Sequence, residues 1–216
     1  MNRQKLIYLI KPREWQRVIE YEKHRSESKN YIYNQIITNL NFNQHFHKSF
    51  EFVYIFDGTL ELTIDNDTYC LTCDNSALIL PNQIHSYRTP RYSKCFLCIF
   101  SISFVYDFYE KTRNMRAINP VFKFGKDENI NMLISKINSP DTGDYGYKSI
   151  FYTICDVFSK SARLITTQKD SVSLLDKIVL FLQENFREDI SLKNIAASFG
   201  YTYNYLSGYL NKRFGI

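Results

Sequence analysis

His45-Phe46-His47-Lys48-Ser49-Phe50-Glu51-Phe52-Val53-Tyr54-Ile55-Phe56-Asp57-Gly58-Thr59-Leu60-Glu61-Leu62-Thr63-Ile64 is the stretch on which the fold turns. Glu51 to Phe56 and Thr59 to Ile64 both follow the period-two pattern of strands. Asp57-Gly58 between them is a turn signal, so the sequence predicts strands at 51–56 and 59–64. Working outward, period-two or apolar runs recur at Tyr31–Ile37, Thr68–Thr72, Ser76–Leu80 and Cys95–Phe100. Asp65-Asn66-Asp67, Asp74-Asn75 and Pro81-Asn82 punctuate them. Short strands at such regular spacing predict an antiparallel β-sandwich or barrel.

Beyond residue 126 the period changes to that of a helix. Ile130, Leu133, Ile134 and Ile137 share one face, and Ser139-Pro140-Asp141 closes that helix. A second helix is predicted from Tyr145 to about Ile165, carrying Ile150, Phe151, Ile154, Val157, Phe158 and Ala162. Thr166 to Ser171 is polar and reads as a linker, after which Leu174, Leu175, Ile178, Val179, Leu182 and Phe186 begin a third helical pattern near Ser173. The fold class expected is α+β: a barrel over 1–125, a helical segment over 126–168 and a C-terminal all-α unit over 169–216.

With 216 residues, 44% of them hydrophobic and 23% charged, the composition is that of a globular chain and not of a disordered one. Cys95 to Tyr106, the longest uncharged apolar stretch, is about half of a bilayer crossing. Lys11-Pro12-Arg13 interrupts the apolar start Leu6–Ile10 before a signal peptide develops, so the expected address is cytoplasmic, with no membrane partner. Cys70/Cys73 and Cys95/Cys98 have C-x-x-C spacing, but residues three apart on a strand point to opposite faces. Reduced thiols packed as small hydrophobes are expected there in preference to a zinc site.

The histidines carry the first candidate site. His45 and His47 project from one face if the chain is extended, Glu51 adds a carboxylate at the next strand, and His85 follows a Pro-containing turn at Leu80-Pro81-Asn82-Gln83. Three imidazoles and a carboxylate suit a divalent metal. They also suit a hydrogen-bonded barrel mouth in which Glu51 accepts from an imidazole and no metal enters. Both readings stand. His45-x-His47-x3-Glu51-x6-Gly58 with Pro81-x3-His85 resembles the two motifs of the cupin barrel over residues 30–105. The second motif departs from the pattern, since cupins usually have glycine near Asn82 and Gln83, and near Cys73-Asp74. The resemblance implies ligand binding at His45, His47, Glu51 and His85, with a divalent metal in metal-dependent cupins and an organic molecule in sensor cupins.

At the carboxyl end, Ser191-Leu192-Lys193-Asn194-Ile195-Ala196-Ala197-Ser198-Phe199-Gly200-Tyr201-Thr202 predicts a helix capped by Ser191 and stopped by Gly200. A second helix follows from Tyr203 to about Phe214, capped by Thr202, with Leu206, Tyr209 or Leu210, and Arg213 or Phe214 inward. This is the pattern of a helix-turn-helix. Residues 173–216, from Glu184-Asn185-Phe186 through Tyr205-Leu206 to Phe214-Gly215-Ile216, resemble the first helix-turn-helix of AraC/XylS-family transcriptional regulators, and the order of parts along the chain is that family's.

The resemblance implies a ligand-responsive, non-enzymatic, homodimeric regulator that contacts promoter DNA through Thr202, Asn204, Ser207, Gly208 and Lys212. Gly208 and Asn211 stand where relatives often carry Arg and Lys. The family's head has two such units and this sequence stops at Ile216, so a truncated regulator with weak or lost DNA binding is expected. The net charge of +1 over residues 171–216, from 5 basic and 4 acidic residues, points the same way. The apolar helical faces of 126–165 are expected to form the dimer. The competing classes are a metal-dependent cupin enzyme, a dioxygenase or isomerase, and a dominant-negative partner of a full-length regulator.

Overall fold

The structure, a computed structural model, describes residues 20–22, 25, 28–65, 67–166, 174, 178, 181 and 191–214. The amino-terminal run, His24, most of the linker, most of the helix expected from Ser173 (Glu184-Asn185-Phe186 included) and Gly215-Ile216 lie outside the described residues. In chain order the strands are β1 (Glu20–Tyr21), β2 (Ile32–Thr38), β3 (Phe42–Phe46), β4 (Phe50–Ile64), β5 (Asp67–Thr72), β6 (Asn75–Ile79), β7 (His85–Arg88), β8 (Ser93–Phe100), β9 (Met115–Ala117), β10 (Val121–Lys123) and β11 (Leu164–Thr166). The helices are a 3-10 turn at Ile102–Val105, then α1 (Tyr106–Thr112), α2 (Asp127–Ile137), α3 (Asp144–Ser161), α4 (Leu192–Ser198) and α5 (Tyr203–Phe214).

The α+β class is as expected, and β4 organises it. Residues 51–56 and 59–64 are one 15-residue strand, not two strands joined by a turn. Its first half pairs antiparallel with β6 and β8, its second half with β5 and β7. Two sheets, β2-β8-β4-β6-β10 and β5-β4-β7-β3-β1, therefore share this strand; β1 alone pairs in parallel, with β3. Among the described residues no ladder joins the outer edges, so the barrel is open.

The changeover lies at Asp57-Gly58, where the register with β8 shifts. Gly58 takes φ +79, and a Cβ on it would stand 2.2 Å from the Tyr92 carbonyl oxygen, which accepts the Thr59 amide at 2.8 Å. The Asp-Gly pair thus supplies a bulge instead of a hairpin. Gly58→Ala is expected to cost about 1–3 kcal/mol, read as a lower urea midpoint at unchanged slope. The corners at Asp74 (φ 63) and Asn82 (φ 66) are left-handed as well. Asp and Asn tolerate this region, which accounts for the second cupin-like motif doing without glycine.

Alternation along β4 builds two cores. Glu51, Val53 and Ile55 point between the sheets, where Val53 and Ile55 meet Leu60, Leu62, Leu71, Ala77, Ile79, Leu97 and Ile99. Phe50, Phe52 and Tyr54 point outward and pack with Phe96, Phe100, Phe104, Ile130, Leu133, Phe151, Ile154 and Phe158. The apolar faces of α2 and α3, expected to await a dimer partner, are therefore covered by the chain's own sheet. The expected division at residue 125 is no break in packing, because this second core runs across it.

The Tyr54 hydroxyl lies 2.7 Å from Asp127 Oδ1 and 3.0 Å from Asp74 Oδ1, tying the start of α2 to the barrel. The helix expected to reach Ile165 ends at Ser161, and Leu164–Thr166 instead pairs with β9. Cys70 and Cys73 are exposed, Cys95, Cys98 and Cys155 are buried, and all five are free thiols. None of the helices among the described residues is long and apolar enough to cross a membrane.

Both predicted caps form at the carboxyl end. Ser191 Oγ accepts the Asn194 amide at 3.2 Å and Thr202 Oγ1 the Tyr205 amide at 3.2 Å, with Gly200 at φ +70 between the helices. Leu192, Ile195 and Ala196 of α4 meet Leu206 and Leu210 of α5, together with Leu174 and Ile178. Phe46 and Ile84 of the barrel belong to the same buried cluster.

Candidate functional site

His45 is the penultimate residue of β3, His47 follows the strand, Glu51 is the second residue of β4 and His85 opens β7. The antiparallel register pairs His45 with His85 and Ile64 with His85. All four residues are at most 1% exposed, and one donor atom from each lies within 4.8 Å of the others. The sequence placed these four residues together and the fold does so.

Each imidazole is oriented from behind. His45 Nδ1 donates to Asn43 O at 2.9 Å and His85 Nδ1 to Gln83 O at 2.9 Å, while His47 Nδ1 lies 3.0 Å from Ser49 O. The Nε2 atoms are thereby turned toward Glu51: His47 Nε2 is 2.9 Å and His85 Nε2 3.4 Å from Glu51 Oε2. The other oxygen, Oε1, accepts the Tyr87 hydroxyl at 2.6 Å.

Charge follows from this geometry. Burial alone would raise the Glu51 carboxyl, but the charge on His85 and the hydrogen bonds from His47 and His85 hold it well below the usual carboxylate range. Burial alone would lower His85, yet Glu51 raises it. Burial and the charge of His85 hold His45 well below its ordinary value, and burial lowers His47 despite the nearby carboxylate. Burial and Glu51 together push the Tyr87 phenol well above its ordinary value. The site is an ionised carboxylate inside a cage of imidazoles, a donor set that fits a divalent cation: Nε2 atoms directed inward and Nδ1 atoms hydrogen-bonded to backbone carbonyls.

Sequence reasoning missed two neighbours. Tyr87 is two residues past His85 on β7, so the strand period alone places it on the same face. Glu22, 7% exposed, has Oε2 3.8 Å from His45 Nε2 and 2.7 Å from Arg25 Nη1. It arrives through the parallel pairing of β1 with β3, which no local spacing announces.

Thr202, which caps α5, and Asn204, Gly208 and Lys212 on the helix are exposed and Ser207 is partly so, whereas Leu206 and Leu210 are buried. The residues assigned to DNA by resemblance therefore lie on the outward side of that helix. They are remote in sequence from the histidine cage and form no part of it.

The sequence model of the AraC-like ligand binding domain matches residues 31–104. No curated protein matches the chain by sequence. ToxT from Vibrio cholerae is similar in structure: at 16% identity it aligns over 87% of this chain and 76% of its own, with a TM-score of 0.54. ToxT bound to (E)-4-(8-methylnaphthalen-1-yl)but-3-enoic acid aligns at 14% identity over 86% and 76%, TM-score 0.52. The unsaturated fatty acid-bound form aligns at 16% over 86% and 73%, TM-score 0.50. Residues 31–104 thus match the AraC-like ligand-binding domain, within a chain whose α+β fold is similar to that of ToxT.

Proposed function

We propose that this chain is a ligand-responsive transcriptional regulator of the AraC type, in which the open barrel senses an effector and α4-turn-α5 is a helix-turn-helix that presents α5 to a DNA major groove. One observation carries the reading. An AraC-like ligand-binding segment shares its chain with two capped helices whose packing leaves Thr202, Asn204, Ser207, Gly208 and Lys212 on the outward side. Asn204 is assigned to adenine edges, Thr202 and Ser207 to neighbouring bases or phosphate, and Lys212 to the backbone; Gly208 supplies close approach only.

Selection of random duplexes on the purified protein, followed by a gel shift titrated against salt, tests it. Enrichment of one motif is expected, and Asn204→Ala should weaken binding to that motif by roughly 1–3 kcal/mol while leaving scrambled DNA unaffected. Absence of any enrichment at low salt defeats the reading.

The site's charge favours a cation as the effector. The ToxT structures named above hold a fatty acid and a butenoic acid derivative. Here an ionised Glu51 already occupies the cage, and a second carboxylate would be repelled. A divalent transition metal is the ligand we assign to His45, His47, Glu51 and His85. Protein purified without chelators should hold about one ion per chain, lost in His47→Ala with the circular dichroism of the barrel retained. A metal-dependent enzyme would need an open coordination position that substrate reaches. The at most 1% exposure of all four ligands speaks for sensing instead. Homodimerisation through 126–168 would use the outer sides of the helices, where Met132 and Tyr145 are exposed, and sizing of Met132→Glu tests it.

A further inference from the structure

Among the described residues, the histidine-bearing strands meet the C-terminal helices through one pair of side chains. β3 and β7 pair antiparallel with His45 opposite His85. One residue beyond that pair lie Phe46, the last residue of β3, and Ile84, which immediately precedes β7. Because successive residues of a strand face opposite sides, the two imidazoles point into the barrel while Phe46 and Ile84 point out of it. Both outward residues are 1% exposed, buried against Leu174, Ile178, Leu192, Ile195, Ala196, Leu206 and Leu210.

Among the described residues, these are the only barrel side chains in that buried cluster. The local backbone is braced as well. Asn82 N donates to His47 O at 2.9 Å, and Asp65 N to Ile84 O at 2.6 Å. A shift of either histidine main chain therefore moves a residue on which the α4–α5 core is seated.

We propose that Phe46 and Ile84 are the coupling residues of the protein, so that filling the His45, His47, Glu51 and His85 cage holds α4 and α5 in their docked position. The proposal rests on the assignment of a divalent metal to that cage. A ligand that binds only the ordered cage stabilises whatever must open with it, and by an equal amount. The docked position leaves the outward side of α5 clear, so the metal-filled barrel sets where the recognition surface stands and does not hide it.

Hydrogen exchange of the full chain with and without Ni2+ decides the matter. In the wild type, amides of β3, β7 and residues 192–214 should all slow on adding the metal, by up to roughly 100-fold at a concentration 100 times Kd. In Phe46→Ala the slowing should persist in β3 and β7 and vanish over 192–214, and Phe46→Leu should restore part of it. Ile195→Ala thins the same buried cluster from the side of α4 and changes no barrel residue, so it serves if Phe46→Ala does not fold. Protection confined to the barrel in the wild type overturns the coupling and leaves the metal site standing. Absence of protection in β3 and β7 overturns the metal assignment and the coupling with it.

Discussion

Glu51→Ala is expected to destabilise the protein by about 3–5 kcal/mol, the usual result of removing one partner from a buried ionic group. Glu51 is 0% exposed and accepts from His47, His85 and Tyr87. Without it, the ring nitrogens of His47 and His85 that face Glu51 and the Tyr87 hydroxyl would all lose their acceptor in a closed interior, and burial, no longer opposed by the carboxylate, would favour the neutral His85 ring. Glu51→Gln keeps the volume and one acceptor oxygen, so it should cost less but still weaken the fold. Urea unfolding in chelator measures both. A loss below about 1 kcal/mol for the alanine variant would show that the cage is solvated and carries little charge. Saturating metal should widen the gap between wild type and either variant, because only the intact cage gains the binding energy.

Phe151→Ala is expected to cost about 3–5 kcal/mol. Phe151 lies parallel to Phe100 of β8, with ring centroids 4.2 Å apart and planes 3° apart, and meets Phe104 edge-on at 5.3 Å. Its removal opens a void where α3 sits on the sheet. The informative part is the shape of the transition. Barrel and α2–α3 share one core, so near- and far-ultraviolet dichroism should fall together in wild type and variant alike. Two separated transitions would make residues 126–168 an independent unit.

Much of this was legible in the chain because alternation is a strong code. Thr59 to Ile64 announced one covered face, and Glu51 was conspicuous as the single charge in an otherwise apolar run. The cage followed from spacing: His45 and His47 two apart, with Glu51 soon after. What periodicity cannot supply is the identity of the neighbour. Ile130, Leu133, Phe151 and Phe158 marked a buried face of each helix, but whether a sheet or a second copy buries it is decided by chain reversal after β8, where α1 and β9 went unread. Asp57-Gly58 reads locally as a hairpin; the Tyr92 carbonyl, distant in sequence, makes it a bulge. Glu22 came to the cage through strand pairing, a long-range event with no local mark.

The continuity of β4 has a topological consequence. Strands that belong to one sheet can be opened at their ends without loss of the other sheet, but Phe50–Ile64 is the common leaf of both. A circular permutant with new termini at Pro90-Arg91, where the chain is exposed, leaves every ladder closed. One that starts at Gly58 unhinges the two halves of the molecule at once, and with them the strand that carries Glu51 at one end and Leu60 and Leu62 at the other.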